Sequence, residues 1–277
     1  MAGRGHAVTG TRTLGALALA AGLLAPGALR ADAAVPGPAR LGYQVYFGGL
    51  QALALQVEVG LSDTGYRVAL HAHTEGVTDW LFGWTARSWS EGRLADGVVR
   101  PLRQDTESLS RGNRRTAALT FHDDGTIATS VEPPAEADER EPVTPAQTRG
   151  TLDPISAVLA ATRALAARHS CAQHLKVFDG RRRFDLVLSD GGSDLLKPTE
   201  YGSFSGAATV CLFRYLRVAG FQKPGGRWGN PHDDERTYKA WLAPVLPGLP
   251  PMPVRIEVEG TFGSLIVHLV DAVRPQS

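Results

Sequence analysis

The stretch ALQVEVGLSDTGYRVALHAH, residues 54–73, decides the fold class of this 277-residue chain. Apolar and polar side chains alternate in residues 54–59 and again in residues 66–73. An alternation with a period of two is typical of a β-strand that buries one face. Between the two runs, Asp63–Gly65 has the composition of a tight turn, because glycine adopts positive φ angles without strain. The stretch therefore predicts an antiparallel β-hairpin.

The same alternation recurs along most of the chain, whereas a helical pattern is convincing at one place. Further strands are predicted at Ser88–Leu94, Thr116–His122, Thr126–Val131, Thr209–Val218, Arg236–Leu242, Val254–Glu259 and Ser264–Val270. The helix is predicted to follow Asp153, a natural N-cap residue, with Pro154 at its first position. Its buried stripe is expected to consist of Ile155, Val158, Leu159, Thr162, Leu165 and Ala166. The sequence therefore predicts a mostly β fold with one main packed α-helix.

The segment VFDGRRRF, Val177–Phe184, contains the densest run of positive charge in the chain. If Asp179–Arg182 forms a four-residue hairpin loop, the first and last residues of the segment face each other, and Leu175 faces Leu186. This register places the apolar side chains on one face. A phosphate site would need a glycine-rich loop that leads into a helix, and no helical pattern follows. The arginines are therefore interpreted as a solvated turn.

The first residues have the composition of an export signal. Arg4 and Arg12 form a basic region without acidic residues, and the apolar stretch Leu14–Leu29 follows it. Ala31–Ala33 then gives the small-x-small pattern that signal peptidase reads. We expect residues 1–33 to be a signal peptide that is cleaved after Ala33.

The alternative, an anchored transmembrane helix, fits less well because the apolar run is short and Pro26 interrupts it. Residues 34–277 are then expected to form a single β-rich domain in the periplasm that does not span the membrane. Within it, residues 132–150 are acidic, proline-rich and poor in large apolar side chains, which predicts an exposed loop.

Charge and cysteine content narrow the class of protein further. The formal net charge of +1 gives no global attraction to nucleic acids or to anionic membranes, so no nucleic-acid partner is expected. Cys171 and Cys211 are the two cysteines of the chain. In an exported protein such a pair is expected to form a structural disulfide, and two free buried thiols are the alternative.

Several segments together resemble one protein family. These segments are YQVYFGGLQALAL (43–55), GVTDWLFGW (76–84), LDPISAVLAA (152–161), CAQHLKVFDGRRRFDL (171–186) and PVRIEVEGTFGSLIVHL (253–269), together with Cys211 and Trp241. They are similar to the exported bacterial proteins of the domain-of-unknown-function family DUF3108. The resemblance implies an antiparallel open half-barrel or β-spiral, like that of lipoprotein carriers, with a helix packed against it. The family has no established activity. No dinucleotide-binding loop, Walker loop or zinc-binding helix motif is found in the sequence, so no cofactor is expected.

Catalytic and metal-binding patterns are weak. The segment GSFSG (202–206) approaches a nucleophile elbow, but Phe204 occupies the position of the nucleophile, so we expect no enzymatic activity. His71, His73 and Glu75 alternate and would point to one face of a strand. Two histidines and a carboxylate can bind a metal, but ordinary polar residues on a solvated face are the preferred interpretation.

A cluster of aromatic residues is the candidate ligand site. Trp80, Phe82, Trp84 and Trp89 lie within ten residues of one another. They could form part of the core, or they could line an apolar groove that holds a lipid-like molecule.

The leading hypothesis is a periplasmic, non-enzymatic protein that binds an apolar small molecule or a component of the cell envelope, such as an envelope protein. One alternative is an interaction protein that docks through the edges of its sheet. A second alternative is a hydrolase whose site has no recognisable motif.

Overall fold

The computed structural model describes residues 37–134, 140–223, 237–260 and 263–275, so the predicted signal peptide lies outside the described residues. The strands are β1 (Ala39–Phe47), β2 (Leu50–Leu61), β3 (Gly65–Thr74), β4 (Trp84–Ala95), β5 (Val98–Ser110), β6 (Asn113–Phe121), β7 (Ile127–Glu132), β8 (Gln173–Phe178), β9 (Arg183–Leu196), β10 (Gly206–Ala219), β11 (Tyr238–Ala243), β12 (Met252–Gly260) and β13 (Gly263–Val273). The helices are α1 (Gly76–Phe82), α2 (Pro145–Thr148) and α3 (Pro154–Arg168). None of the described helices is long and apolar enough to cross a membrane.

All of these strands belong to one antiparallel sheet in the order β7-β6-β5-β4-β3-β2-β1-β13-β12-β11-β10-β9-β8. The sheet does not close, because β7 and β8 are its two edges. The quoted hairpin is the β2–β3 pair, in which Val59 lies opposite Val68. This arrangement confirms the prediction of a mostly β, open barrel-like fold with one main packed helix.

Helix α3 packs against β4, β5 and β8. Asp153 caps it as predicted, since its carboxylate accepts a hydrogen bond from the Ser156 amide at 3.0 Å. The predicted buried stripe is partly wrong, because Val158 is 47% exposed while Ser156 and Ala157 are buried. The reason is that small and hydroxyl side chains let the helix approach polar groups on the sheet, such as the hydroxyl of Tyr66.

The two ends of the sheet differ in what fills them. The β2–β3 and β4–β5 turns lie at one end, which we name the closed end. Buried side chains fill it: Leu41, Tyr43, Val59, Tyr66, Val68, Leu94 and Val99 from the strands, and Leu159 from α3. The connector between β11 and β12 adds Val245, Leu246 and Leu249 to this core. The opposite end, which carries the β1–β2, β3–β4 and β5–β6 connections, is named the open end.

The β8–β9 turn, Asp179–Arg182, docks against the other half of the sheet. A Cβ atom on Gly180 would lie only 3.0 Å from the Cβ of Ala117, so the turn touches β6 directly. The predicted pairing of Val177 with Phe184 is confirmed. The interpretation of the arginines as a solvated turn is wrong for Arg181, which donates to the carbonyl of Pro133 at 2.8 Å.

Residues 140–152, which lead into α3, lie along the opening of the sheet. Arg140 forms an antiparallel bridge with Gln222, and Leu152 forms a parallel bridge with Val177 on the edge strand β8. Most side chains of residues 140–150 are exposed, but Thr148 in α2 is buried. The segment predicted to be a loop thus includes a short helix that helps to cover the seam.

Cys171 and Cys211 form a disulfide bond with a Cα–Cα distance of 5.6 Å, as predicted. Both are buried beside Leu165 of α3. The bond therefore ties the chain just after α3 to β10, the third strand from the β8 edge of the sheet.

Candidate ligand-binding cavity

A cavity of about 860 Å³ lies inside the curled sheet, toward the open end. Inner-facing residues of β4, β5 and β6 form its wall, and Pro154 and Ile155 of α3 and the β8–β9 turn border it. The pairing of β4 with β5 and of β5 with β6 places the side chains that line the cavity in rows across these three strands. The rows read Ser88–Thr106–Ala117, Ala86–Ser108–Arg115 and Trp84–Ser110–Asn113.

One wall of the cavity is lined with polar groups. The hydroxyl groups of Ser88 and Thr106 are 2.7 Å apart, and the amide nitrogen of Gln104 donates to Ser88 at 3.2 Å. Gln104 is 3% exposed, and its Oε1 accepts no hydrogen bond within the described structure. A buried acceptor without a donor is costly to the folded state. The hydroxyl groups of Ser88 and Thr106, which are only partly buried, are the polar groups of this wall that a ligand can reach.

Apolar side chains are interleaved with the polar ones in the lining. Leu70, Trp84, Ala86 and Ile155 supply them, and on the sheet Ala86 lies opposite Ser108 and Trp84 opposite Ser110. Since both kinds of surface lie in one cavity, the chemistry suits a molecule with an apolar part and a hydroxylated part.

Arginine side chains dominate the charge of the cavity. Arg111, Arg114, Arg115, Arg181 and Arg182 are among its lining residues, and Asp179 is the one carboxylate among them. Within the described residues Arg114 is paired with Glu107 at 2.7 Å, whereas the guanidinium group of Arg115 has no hydrogen bond or ion pair and only its backbone pairs, with Ser108 of β5.

The pKa of Arg181 is lowered by its burial and by this concentration of positive charge. Burial lowers its pKa, and the nearby charges of Arg115, Arg140 and Arg182 lower it further, while Asp179 acts in the opposite direction. The guanidinium groups thus repel one another at the cavity, and an anionic group bound among them would relieve that repulsion.

The structure separates the four predicted aromatic site residues. Trp84 lines the cavity, whereas Trp80 is 84% and Phe82 55% exposed on α1 at the open end. Trp89 points to the outer face of β4, where the guanidinium carbons of Arg67 and Arg103 lie 4.4 Å and 5.5 Å from its ring centroid. The sequence therefore grouped residues that lie in three different environments.

The weak metal candidates lie on the outer face of β3. The rings of His71 and His73 are 5.7 Å apart, and His73 Nε2 is 2.9 Å from a carboxylate oxygen of Glu75. Gln51 binds the other carboxylate oxygen at 3.3 Å. Across the part of the chain that the structure describes, no three such side chains are arranged to hold a metal ion.

A buried polar network joins α3 to the sheet beside the cavity. The carboxylate of Asp153 accepts hydrogen bonds from Ser90 at 2.9 Å and from both the amide and the hydroxyl of Ser156. The hydroxyl of Tyr66 lies 2.6 Å from that of Ser156. Burial raises the pKa of Asp153, against these hydrogen bonds, and it raises the pKa of Tyr66 to about 12.

Sequence reasoning missed the polar wall and Arg115. The signal that could have revealed them is the segment QDTESLS, residues 104–110, in which both strand faces are polar apart from Leu109. A strand with two polar faces must turn one of them toward the interior of a curled sheet.

The alternative of docking through sheet edges concerns β7 and β8. Backbone hydrogen bonds to Leu152 occupy part of the β8 edge, from the Leu152 amide to Lys176 at 2.9 Å and from the Phe178 amide to Leu152 at 2.9 Å. Less of that edge is therefore available to a partner strand.

Comparisons with known proteins agree with this geometry. The sequence model of a family described as "Protein of unknown function (DUF3108)" matches residues 42–270. No curated protein matches the sequence. Among solved structures, the chain is similar to the crystal structure of a β-barrel-like protein of domain of unknown function DUF1849 from Brucella abortus. The TM-score is 0.52 at 11% identity, over 87% of this chain and 99% of that one, which shows the fold alone. The family match covers most of the sequence, and the chain therefore belongs to the DUF3108 family.

Proposed function

We propose that the protein is a periplasmic, non-enzymatic binding protein that holds an anionic amphiphile of the cell envelope in its cavity. The observation that carries the proposal is the cavity of about 860 Å³, whose lining combines apolar side chains, hydroxyl groups and several arginines. Its volume lies within the range of roughly 300–1,000 Å³ that is usual for small-molecule sites.

The cavity suggests an orientation for such a ligand. The anionic group would lie near Arg115 and Arg181, where guanidinium groups outnumber carboxylates. A ligand hydroxyl would contact the hydroxyl groups of Ser88 and Thr106, and an acyl chain would contact Trp84. This arrangement refines the hypothesis of an apolar ligand, because a purely apolar molecule would remove water from these hydroxyl groups without giving them a hydrogen bond in return.

The test is to bind lysophosphatidylglycerol, below its micellar concentration, to the protein, and to follow the complex by native mass spectrometry and tryptophan emission. We expect one molecule bound per chain, with an affinity that falls roughly tenfold in Arg115→Gln. Trp84→Ala should also weaken binding. Arg67→Gln on the outer face is the matched control and should bind like the parent.

Two results would contradict the proposal. Equal binding by the parent and Arg115→Gln would show that the ligand does not bind in the cavity. Release of free fatty acid from lysophosphatidylglycerol would show that the protein is an enzyme. Export has a separate test, which is N-terminal sequencing of protein from the periplasmic fraction. The sequence is expected to begin at Ala34, and a retained Met1 on a membrane-bound chain would contradict the predicted cleavage.

A further inference from the structure

Large apolar side chains crowd the open end without being buried. The exposed ones come from the β1–β2 turn and from α1: Phe47, Leu50, Val77, Trp80, Leu81 and Phe82. We name this set the apolar rim. The two segments lie at the same end because alternate connections of an antiparallel sheet share an end. Contiguous exposed apolar surface of this kind marks an interaction site.

Polar contacts hold α1 in this position, and none of its side chains is buried. At its start, the hydroxyl of Thr78 donates to the carbonyl of Ala52 at 2.6 Å, and Asp79 accepts from Thr74 at 2.8 Å. At its end, Arg111 donates to the carbonyl of Leu81. The helix is therefore fixed to the barrel while its apolar side chains point into solvent.

The charges around the apolar rim favour an anionic surface. Arg111 contacts α1 directly, and Arg115 lies on the adjacent β6 without a described partner. The carboxylates of this region count against the arginines, because the hydrogen bonds of Asp79 with Thr74 and of Glu75 with Gln51 come from neutral groups and cancel no charge. The excess of positive charge comes from the lining of the cavity at this end, where Arg111, Arg114, Arg115, Arg181 and Arg182 accompany the one carboxylate of Asp179. Exposed Trp and Phe side chains beside these arginines match the chemistry of the interface of a bilayer that contains anionic lipids.

We propose that the apolar rim inserts into the interfacial layer of a membrane that carries anionic phospholipids. This inference goes beyond the proposed ligand site, although Trp84, which follows α1, lines the cavity and so connects the two. The net charge is +1 for the whole chain and −1 for residues 34–277, which carry 26 Lys and Arg against 27 Asp and Glu, so the attraction to an anionic membrane is local to the open end. Binding should therefore weaken with salt but should not disappear.

The test is co-sedimentation of the protein with lipid vesicles, using protein recovered from the soluble fraction of producing cells. The vesicles contain about three molecules of phosphatidylcholine for each phosphatidylglycerol, so that their surface is negatively charged. We expect the double variant Trp80→Ser/Phe82→Ser to lower the partition coefficient by roughly tenfold or more. The parent should bind these vesicles more strongly than vesicles of phosphatidylcholine alone.

Leu195→Ser is the matched control, since Leu195 is 69% exposed but lies on β9, away from α1. It should bind vesicles like the parent. Circular dichroism and the binding of lysophosphatidylglycerol should stay unchanged in the double variant, which separates a failed membrane contact from a failed cavity. Equal vesicle binding by the parent and the double variant would overturn the proposal, and so would a parent that does not bind the anionic vesicles.

Discussion

The closed end and the open end of the same curled sheet carry opposite surfaces on their inner faces. At the closed end, Leu41 is fully buried and packs with the strands and the β11–β12 connector. At the open end, Leu50 is 68% exposed and the inner face of β5 carries hydroxyl groups. The difference teaches where each role is expected: the closed end, which buries the larger apolar core, should supply most of the stability, and the open end carries the proposed binding site.

The difference arises from what the connections contribute at each end. The β11–β12 connector lays Val245, Leu246 and Leu249 over the closed end and excludes water from it. At the open end the corresponding segment is α1, which contributes no buried side chain. An end without a covering segment cannot complete a core, so its interior stays a cavity.

The largest expected effect tests this comparison directly. Leu41→Ala at the closed end should lower the free energy of unfolding by about 2–5 kcal/mol, because a buried leucine leaves a cavity. Leu50→Ala, the matched change at the open end, should cost less than about 0.5 kcal/mol. Urea denaturation of both variants measures the two values. Similar losses in both would show that the two ends contribute alike and would break the comparison.

The disulfide should matter for stability but not for binding. Replacing Cys171 and Cys211 with Ser should lower the free energy of unfolding by about 2–4 kcal/mol, since the bond constrains the unfolded chain. The affinity for lysophosphatidylglycerol should stay within about twofold, because the bond lies outside the lining of the cavity. Non-reducing peptide mapping of the parent provides the control. A variant that keeps its stability but loses binding would place the disulfide in the binding machinery instead.

Asp153 lies at the boundary between the core and the cavity, and its expected effect depends on pH. Burial raises the pKa of its carboxyl group in the folded state. Such a group binds its proton more tightly when folded, so its contribution to stability falls as the pH rises through the folded-state pKa. Asp153→Asn removes this titration and keeps an N-cap side chain, since asparagine caps helices about as well as aspartate.

The measurement is urea denaturation of the parent and of Asp153→Asn between about pH 3 and pH 8, a range that spans the titration of a buried aspartate. The stability of the parent relative to the variant should decline with increasing pH. A constant difference across the range would mean that the hydrogen bonds from Ser90 and Ser156 cancel the cost of burial.

The strands and their pairing were predictable from the sequence because local patterns determine them. Alternation fixes which residues share a face, and matching apolar faces fixed the register of Val177 with Phe184. The cap of α3 at Asp153 was equally readable, since N-cap chemistry involves only neighbouring residues. These features needed no knowledge of the curl of the sheet.

The cavity could not be predicted in the same way, because it depends on the curl. In residues 104–110 both faces are polar apart from Leu109, so the sequence alone does not say whether Gln104 or Asp105 points inward. The docking of Arg181 onto β6 joins residues 65 positions apart. The prediction that the aromatic residues share one site failed for a related reason. Trp84 and Trp89 are an odd number of positions apart, so on a regular strand their side chains lie on opposite faces.

The smallest expected effect concerns Trp89, which lies outside both ends. Its ring is packed between Arg67 and Arg103, and each arginine also has a carboxylate partner, Glu91 and Asp105. Trp89→Ala should therefore lower the free energy of unfolding by only about 1 kcal/mol, the size of an exposed cation–π contact with some lost packing.

Binding of lysophosphatidylglycerol and of anionic vesicles should be unchanged, because the side chain faces away from the cavity and from the apolar rim. Parallel denaturation and binding curves for Trp89→Ala and Trp84→Ala check this, since the second variant alone should lose ligand affinity. If both variants lost it to the same extent, the inner face of the sheet would not be the ligand site, and the division of the molecule into a stabilising closed end and a binding open end would fail.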